Sequence, residues 1–221
     1  MEFLSIRNIP GSLKHENADQ TVEGDQIFVM KNLKIGCVVM AAGRSSRFGS
    51  NKLLAQYCGR NIVDSAFDAV PCENTHRVVV VTRFPEVQIL AGKRGFECVW
   101  NDNPEEGISH TIRLGLQQLL DADAVLFMVS DQVFLTRSSV SAMVEFYQEH
   151  PNHIICMSFG GEYGNPCIFP SAFFPELLAL HGDTGGKSVI RRYESLLLCF
   201  EASDASELLD VDYPDELPTS N

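Results

Sequence analysis

Residues Cys37 to Leu54 read CVVMAAGRSSRFGSNKLL, and this stretch decides how the rest of the chain is understood. It begins inside a short apolar run, Ile35 to Met40, which predicts a buried strand. The run then breaks into small residues: Ala41, Ala42, Gly43, Ser45, Ser46, Gly49 and Ser50. Spaced cations lie within the break, at Arg44, Arg47 and Lys52. Glycines allow the main chain to approach an anion closely and aim N–H groups at it. Cations then offset charge that those donors only partly neutralise. The stretch therefore predicts a phosphate-binding turn. The plain alternative is a solvated Gly/Ser turn with incidental basic residues.

Spacing excludes two other phosphate loops. The pattern G-x-x-x-x-G-K-[ST] is not met, because five residues separate Gly43 from Gly49 and Lys52 follows three further on. The dinucleotide fingerprint G-x-G-x-x-G is also absent.

Composition narrows the partners. The chain has 221 residues, 45% of them apolar and 21% charged, ordinary values for a globular chain of one domain. Net charge is −12, from 17 basic and 29 acidic residues. That argues against a nucleic-acid partner, which needs a basic surface, but leaves room for a local cation cluster around one phosphate ligand. There is no long apolar run and no signal-peptide pattern at the N-terminus, so neither membrane insertion nor secretion is expected. The seven cysteines are scattered without a C-x-x-C pair. They read as buried free thiols in a reducing cytoplasm. His150 and His153 flank a Pro-Asn turn and read as surface.

From Lys34 onward, strand and helix patterns alternate. Strands are expected at 35–40, 77–82, 97–100, 124–129 and 154–159, with helices at 62–70, 85–91, 109–120 and 137–149. The order implies a single three-layer α/β/α domain around a mainly parallel, twisted, Rossmann-like sheet. Ligands of such sheets bind at the carboxyl ends of strands. Those ends carry the glycine loop, the polar run Asn101 to Gly107, and Ser130-Asp131.

The pattern A-A-G-x-x-x-R-x-G-x-x-K resembles the signature of the MobA-like NTP transferases, most closely their molybdenum cofactor cytidylyltransferase branch. Further motifs follow in that family's order, from about residue 35 to residue 217, over four fifths of the chain. Asp131-Gln132-Val133 resembles D-Q-P without its proline. Asn103 to Thr111 resembles N-P-x-x-x-x-G-x-x-x-S, with Ser109 expected to cap the next helix. Gly164-Asn165-Pro166 resembles an acceptor-side motif ahead of an apolar strand, although a hairpin turn has the same residues. Gly182 to Lys187 resembles G-D-x-G-A-R, with lysine replacing arginine. The ending Asp210-Val211-Asp212-Tyr213-Pro214 resembles D-I-D-T-P.

The resemblance implies a nucleotidyltransferase fold over 34–221, with 1–33 as an N-terminal extension. It implies Mg²⁺ bound by Asp131 and Asp212, and catalytic roles for Arg47, Lys52 and Asp131. Nucleotide binding falls to Ala41, Ala42, Gly43, Arg44, Ser45, Lys52, Asn103, Gly107 and Ser109, and acceptor binding to Asn165 and Lys187. The implied reaction moves CMP from CTP to a molybdenum–pterin in the cytoplasm, with an apo molybdenum hydroxylase as a further partner. A related transferase using GTP or a sugar phosphate stays open, as does a non-catalytic cofactor carrier.

Overall fold

The computed structural model describes residues 33–43, 48 and 51–211. The expected N-terminal extension, Arg44, Ser45, Arg47, Gly49 and Asp212 lie outside the described residues, apart from Leu33 of the extension.

Strand β1 (Ile35–Ala41) is hydrogen-bonded on both sides. It pairs in parallel with β4 (Arg77–Thr82) and with β6 (Ala124–Val129). A central strand has no solvent face, which is why these three segments are nearly unbroken apolar runs. Side-chain alternation splits each run between two cores. Ile35, Cys37, Val39, Ala41, Val80, Leu126 and Met128 enter one core; Val38, Val79, Val81, Val125 and Phe127 enter the other.

Helices cover both faces. α1 (Ile62–Ala69), α2 (Pro85–Lys93) and α4 (Arg137–Glu149) supply Phe67, Val87 and Met143 to the first core. α3 (Ile108–Gln117), α5 (Phe174–Leu178) and α6 (Lys187–Arg192) supply Leu116, Leu177 and Ile190 to the second. The three-layer α/β/α arrangement expected from the sequence is the observed one. α3 lies especially close to the sheet, because a Cβ on Gly115 would meet Val38 Cγ1 at 2.5 Å. Any side chain there would push the helix, and its N-terminus, off the strand ends.

Among the described residues the main sheet has the order β5-β4-β1-β6-β8-β7-β9. Here β5 is Glu97–Trp100, β7 is Ile154–Phe159, β8 is Glu162–Pro170 and β9 is Leu197–Glu201. Only β8 runs against the others, antiparallel to both β6 and β7. A small hairpin of β2 (Gln56–Tyr57) and β3 (Arg60–Asn61) precedes α1. β1 is flanked by β4 and β6, so the chain leaves it in opposite directions, and the crevice at its carboxyl end is the expected ligand position.

Several expectations need correction. Gly164-Asn165-Pro166 is neither a turn nor a lead-in; it lies within β8. The β7 partner of β8 jumps from Cys156↔Cys167 to Met157↔Gly164. Asn165 and Pro166 therefore bulge out of the ladder, where a residue without an N–H does no harm. Helix α3 begins at Ile108 with Gly107 as its N-cap, so Ser109 is not the cap but a fully buried first-turn residue. All seven cysteines are free, but Cys58, Cys72 and Cys199 are exposed rather than buried. His150 is half-buried, its ring 4.6 Å from that of Phe146.

Candidate active site

Asp131 lies two residues past the end of β6, and its carboxylate oxygen Oδ2 is 2.6 Å from Lys52 Nζ. These side chains are 12% (Lys52) and 18% (Asp131) exposed, so solvent screens the pair only partly. Lys52 starts a short 3-10 turn, Lys52–Leu54. Asn51 caps it by accepting the Leu53 N–H at 3.2 Å, and Leu53 is buried beneath. That capped, anchored turn aims the ammonium at the strand ends. Lys52 Nζ also donates to the Val211 carbonyl at 3.0 Å, and the Val211 N–H donates to the Asp131 carbonyl at 3.0 Å. The segment leading to Asp212 is thereby tied to the end of β6.

Hydroxyls stitch the neighbouring strand ends together. Ser130 Oγ donates to the Met40 carbonyl at 2.8 Å, and Thr82 Oγ1 to the Ala41 carbonyl at 3.0 Å. Ala42 is buried and Gly43 exposed where the basic loop departs. After β5, buried Asn101 organises the next loop. Its Oδ1 accepts the Asn103 N–H at 3.1 Å and its Nδ2 donates to Thr111 Oγ1 at 3.1 Å. The side chain of Asn103 donates to Asp102 at 2.8 Å.

This loop meets the one before α6. The Ser109 N–H donates to the Gly182 carbonyl at 3.3 Å. Arg113 clamps the contact, donating to the Leu180 carbonyl at 2.6 Å, Ser109 Oγ at 3.2 Å and Glu106 at 2.7 Å. Arg113 Nη2 also lies 3.1 Å from His110 Nδ1. Glu106 Oε2 lies 3.2 Å from the same ring nitrogen.

A cavity of about 630 Å³ opens beside these loops, lined among others by Met40, Phe127, Gln132, Asn165, Lys187 and Asp210. Asn165 and Lys187 thus share one cavity. Lys187 Nζ stands 5.9 Å from the Tyr163 ring centroid, a cation–π contact. Gln132, almost fully buried, joins the walls: its Nε2 donates to the Asn165 and Leu208 carbonyls, both at 3.3 Å. Two carbonyls facing one amide fix its orientation, since only the NH₂ can serve them. Cys167 also lines the cavity, its sulfur 3.0 Å from that of Cys156. The contact with Cys167, and then burial, push the Cys156 thiol far up. Cys156 therefore stays a thiol and packs as a small apolar group.

Asp131 can contribute a carboxylate to a divalent cation such as magnesium. Magnesium takes one or two carboxylates and completes its shell with phosphate oxygens and water, and the position of Asp131 already favours a cation, as Lys52 shows. Among the described residues no three His, Cys, Asp or Glu side chains form a metal-binding group.

Sequence patterns missed Arg113 and Glu207. Arg113 carries no motif. Glu207 is buried and accepts hydroxyl hydrogen bonds from Thr136 (2.9 Å) and Ser139 (2.6 Å), fastening the C-terminal segment to the start of α4. A lone acidic residue in a polar segment gives no sign of burial.

A profile of the MobA-like NTP transferase domain matches residues 37–196. The chain belongs to that family. Among the family's curated relatives is the purine catabolism protein PucB of Bacillus subtilis. It is 27% identical over 191 residues, which span 81% of this chain and 92% of PucB. Nicotine blue oxidoreductase of Paenarthrobacter nicotinovorans is 23% identical over 81% of this chain and 93% of its own. Two solved structures share the fold. A nucleotidyl transferase from Methanothermobacter thermautotroptrophicus has a TM-score of 0.70 at 21% identity, covering 83% of this chain and 94% of its own. Rv0371c of Mycobacterium tuberculosis in complex with manganese has a TM-score of 0.64 at 21% identity, covering 83% and 95%. No described helix is long and apolar enough to cross a membrane.

Proposed function

We propose that this MobA-like protein, through residues 34–221, transfers CMP from CTP to the terminal phosphate of a molybdenum–pterin and releases pyrophosphate. The observation that carries the reading is the adjacency of two sites. The Lys52–Asp131 centre lies at the end of β6, and the next residue, Gln132, lines a cavity shared with Asn165 and Lys187. A charged phosphate site beside a cavity with both apolar and polar walls suits an acceptor with a flat heterocyclic body and a phosphate tail.

Lys52 and Arg47 bind and neutralise the triphosphate over the glycine loop, alongside Ala41, Ala42, Gly43, Arg44 and Ser45. Asn103 and Gly107 form the facing wall, with the buried Ser109 behind it fixing the loop. Asn165 and Lys187 hold the acceptor with its phosphate oxygen in line with the α-phosphorus. That oxygen forms the new P–O bond, the bond to the bridging oxygen breaks, and pyrophosphate leaves with the electron pair. Asp131 and Asp212 would hold a magnesium ion, which when bound would neutralise phosphate charge. The acceptor brings its own nucleophile, so alignment and charge neutralisation are what the protein contributes. The A-A-G opening of the loop favours CTP. The product would pass, in the cytoplasm, to an apo molybdenum hydroxylase.

The test offers CTP, GTP, ATP and UTP separately with Mg²⁺ and molybdenum–pterin, and measures pyrophosphate. Release with CTP alone is expected. Release with another nucleotide would overturn the base preference, and release with none would overturn the transferase reading.

A further inference from the structure

Lys52 Nζ is 2.6 Å from Asp131 Oδ2, and both side chains are mostly withdrawn from water. At that depth a second cation on the same carboxylate is repelled strongly, because charges a few ångströms apart are only weakly screened. The same ammonium holds the Val211 carbonyl at 3.0 Å, and the Val211 N–H holds the Asp131 carbonyl. One lysine therefore both neutralises the carboxylate and fastens the segment that leads to Asp212.

We infer that Lys52 is an exchangeable counter-ion. It neutralises Asp131 until a triphosphate offers it another anion, and Asp131 then passes to a divalent cation. The inference rests on the reading of Asp131 as a cation ligand. A lysine suits exchange, since its ammonium is a compact point charge on a flexible stem and makes no rigid two-pronged contact. The lysine follows the glycine loop in the chain, the segment on which the proposed triphosphate binds. Linkage follows: if phosphate draws Lys52 off Asp131 and so strengthens cation binding, the cation strengthens phosphate binding by the same factor.

Mn²⁺ binding to the full chain without nucleotide, read by the electron paramagnetic resonance of free Mn²⁺, tests this. Lys52→Met is expected to bind Mn²⁺ at least about fivefold tighter than the parent, the low end of typical coupling factors. Lys52→Arg, which keeps the charge, should stay near the parent, and Asp131→Asn should abolish binding. Unchanged or weaker Mn²⁺ binding in Lys52→Met, with Asp131→Asn still abolishing it, would overturn the exchange and leave the cation site standing. Mn²⁺ binding indifferent to Asp131→Asn would overturn both.

A second measurement does not depend on Lys52→Met folding alone. With EDTA present, Asp131→Asn should bind tripolyphosphate several-fold tighter than the parent, because Lys52 has lost its competing partner. In the Lys52→Met background that gain should vanish. A gain of the same size in both backgrounds would contradict the exchange.

Discussion

Gly107 lies so close to Gly182 that a Cβ on Gly107 would sit 2.5 Å from the Gly182 carbonyl oxygen. The loop after β5 and the loop before α6 are therefore one continuous wall. Gly107 has φ +79° and ψ −170°, a region that is essentially glycine's alone. Gly107→Ala should cost on the order of 1–3 kcal/mol through backbone strain and also separate the two loops. A lower melting temperature with a raised KM for the acceptor is expected, and an unchanged melt would contradict the packing.

Asp131→Asn removes the charge that the site is arranged around while keeping the side chain's size. Pyrophosphate release should fall at least about tenfold, or roughly 1.4 kcal/mol of barrier. A rate close to that of the parent would remove Asp131 from the chemistry.

Gln132→Glu is nearly isosteric, yet it exchanges the amide donor for an oxygen facing two carbonyls. Burial leaves no water to relieve the clash. Destabilisation of roughly 1–3 kcal/mol is expected, read as a lower denaturant midpoint at constant slope. Acceptor binding should weaken too, because Asn165 and Leu208 lose their common anchor.

Acid should erode stability through two carboxylates. Hydrogen bonds from Arg77 hold Glu97 below its ordinary value of 4.5, against an opposing push from burial. Burial pushes Asp68 up, but Arg94 and Arg60 outweigh it and leave the group below its ordinary 3.8. Both groups bind protons less readily when folded than when unfolded. Their contribution is present above the ordinary values and is lost as pH falls through the lowered ones. Each is substantially exposed, so the effects are small and weaken with salt. The melting temperature should drop on acidification below pH 4.5, and Glu97→Gln should flatten part of that slope.

The fold was legible where burial on both faces writes a continuous apolar run. β1, β4 and β6 are of that kind, and the helices between them carry their apolar stripes. β9 is missing from the expected strands although Leu197-Leu198-Cys199-Phe200 is an apolar run; at the sheet edge those residues are only half-buried or exposed. The second half of β8 was legible as the apolar strand after Pro166; its first half was not, because a proline argues against a strand unless a bulge accommodates it. At the site, Lys52 and Asp131 each stood out through the chemistry of their own motif. Their direct contact depends on how the 3-10 turn meets the end of β6, which no local pattern encodes. Ser109 was misassigned as a cap because a serine before an apolar stripe is the usual signal. Gly107 took that place because the chain must pass beside Gly182.

The most direct test of the central claim follows the α-phosphate. With CTP labelled at that phosphate, Mg²⁺ and molybdenum–pterin, the label should appear on the acceptor in step with pyrophosphate. Both should disappear in Asp131→Asn. Label remaining in CTP, or released as free CMP with no labelled acceptor, would contradict nucleotidyl transfer by this protein.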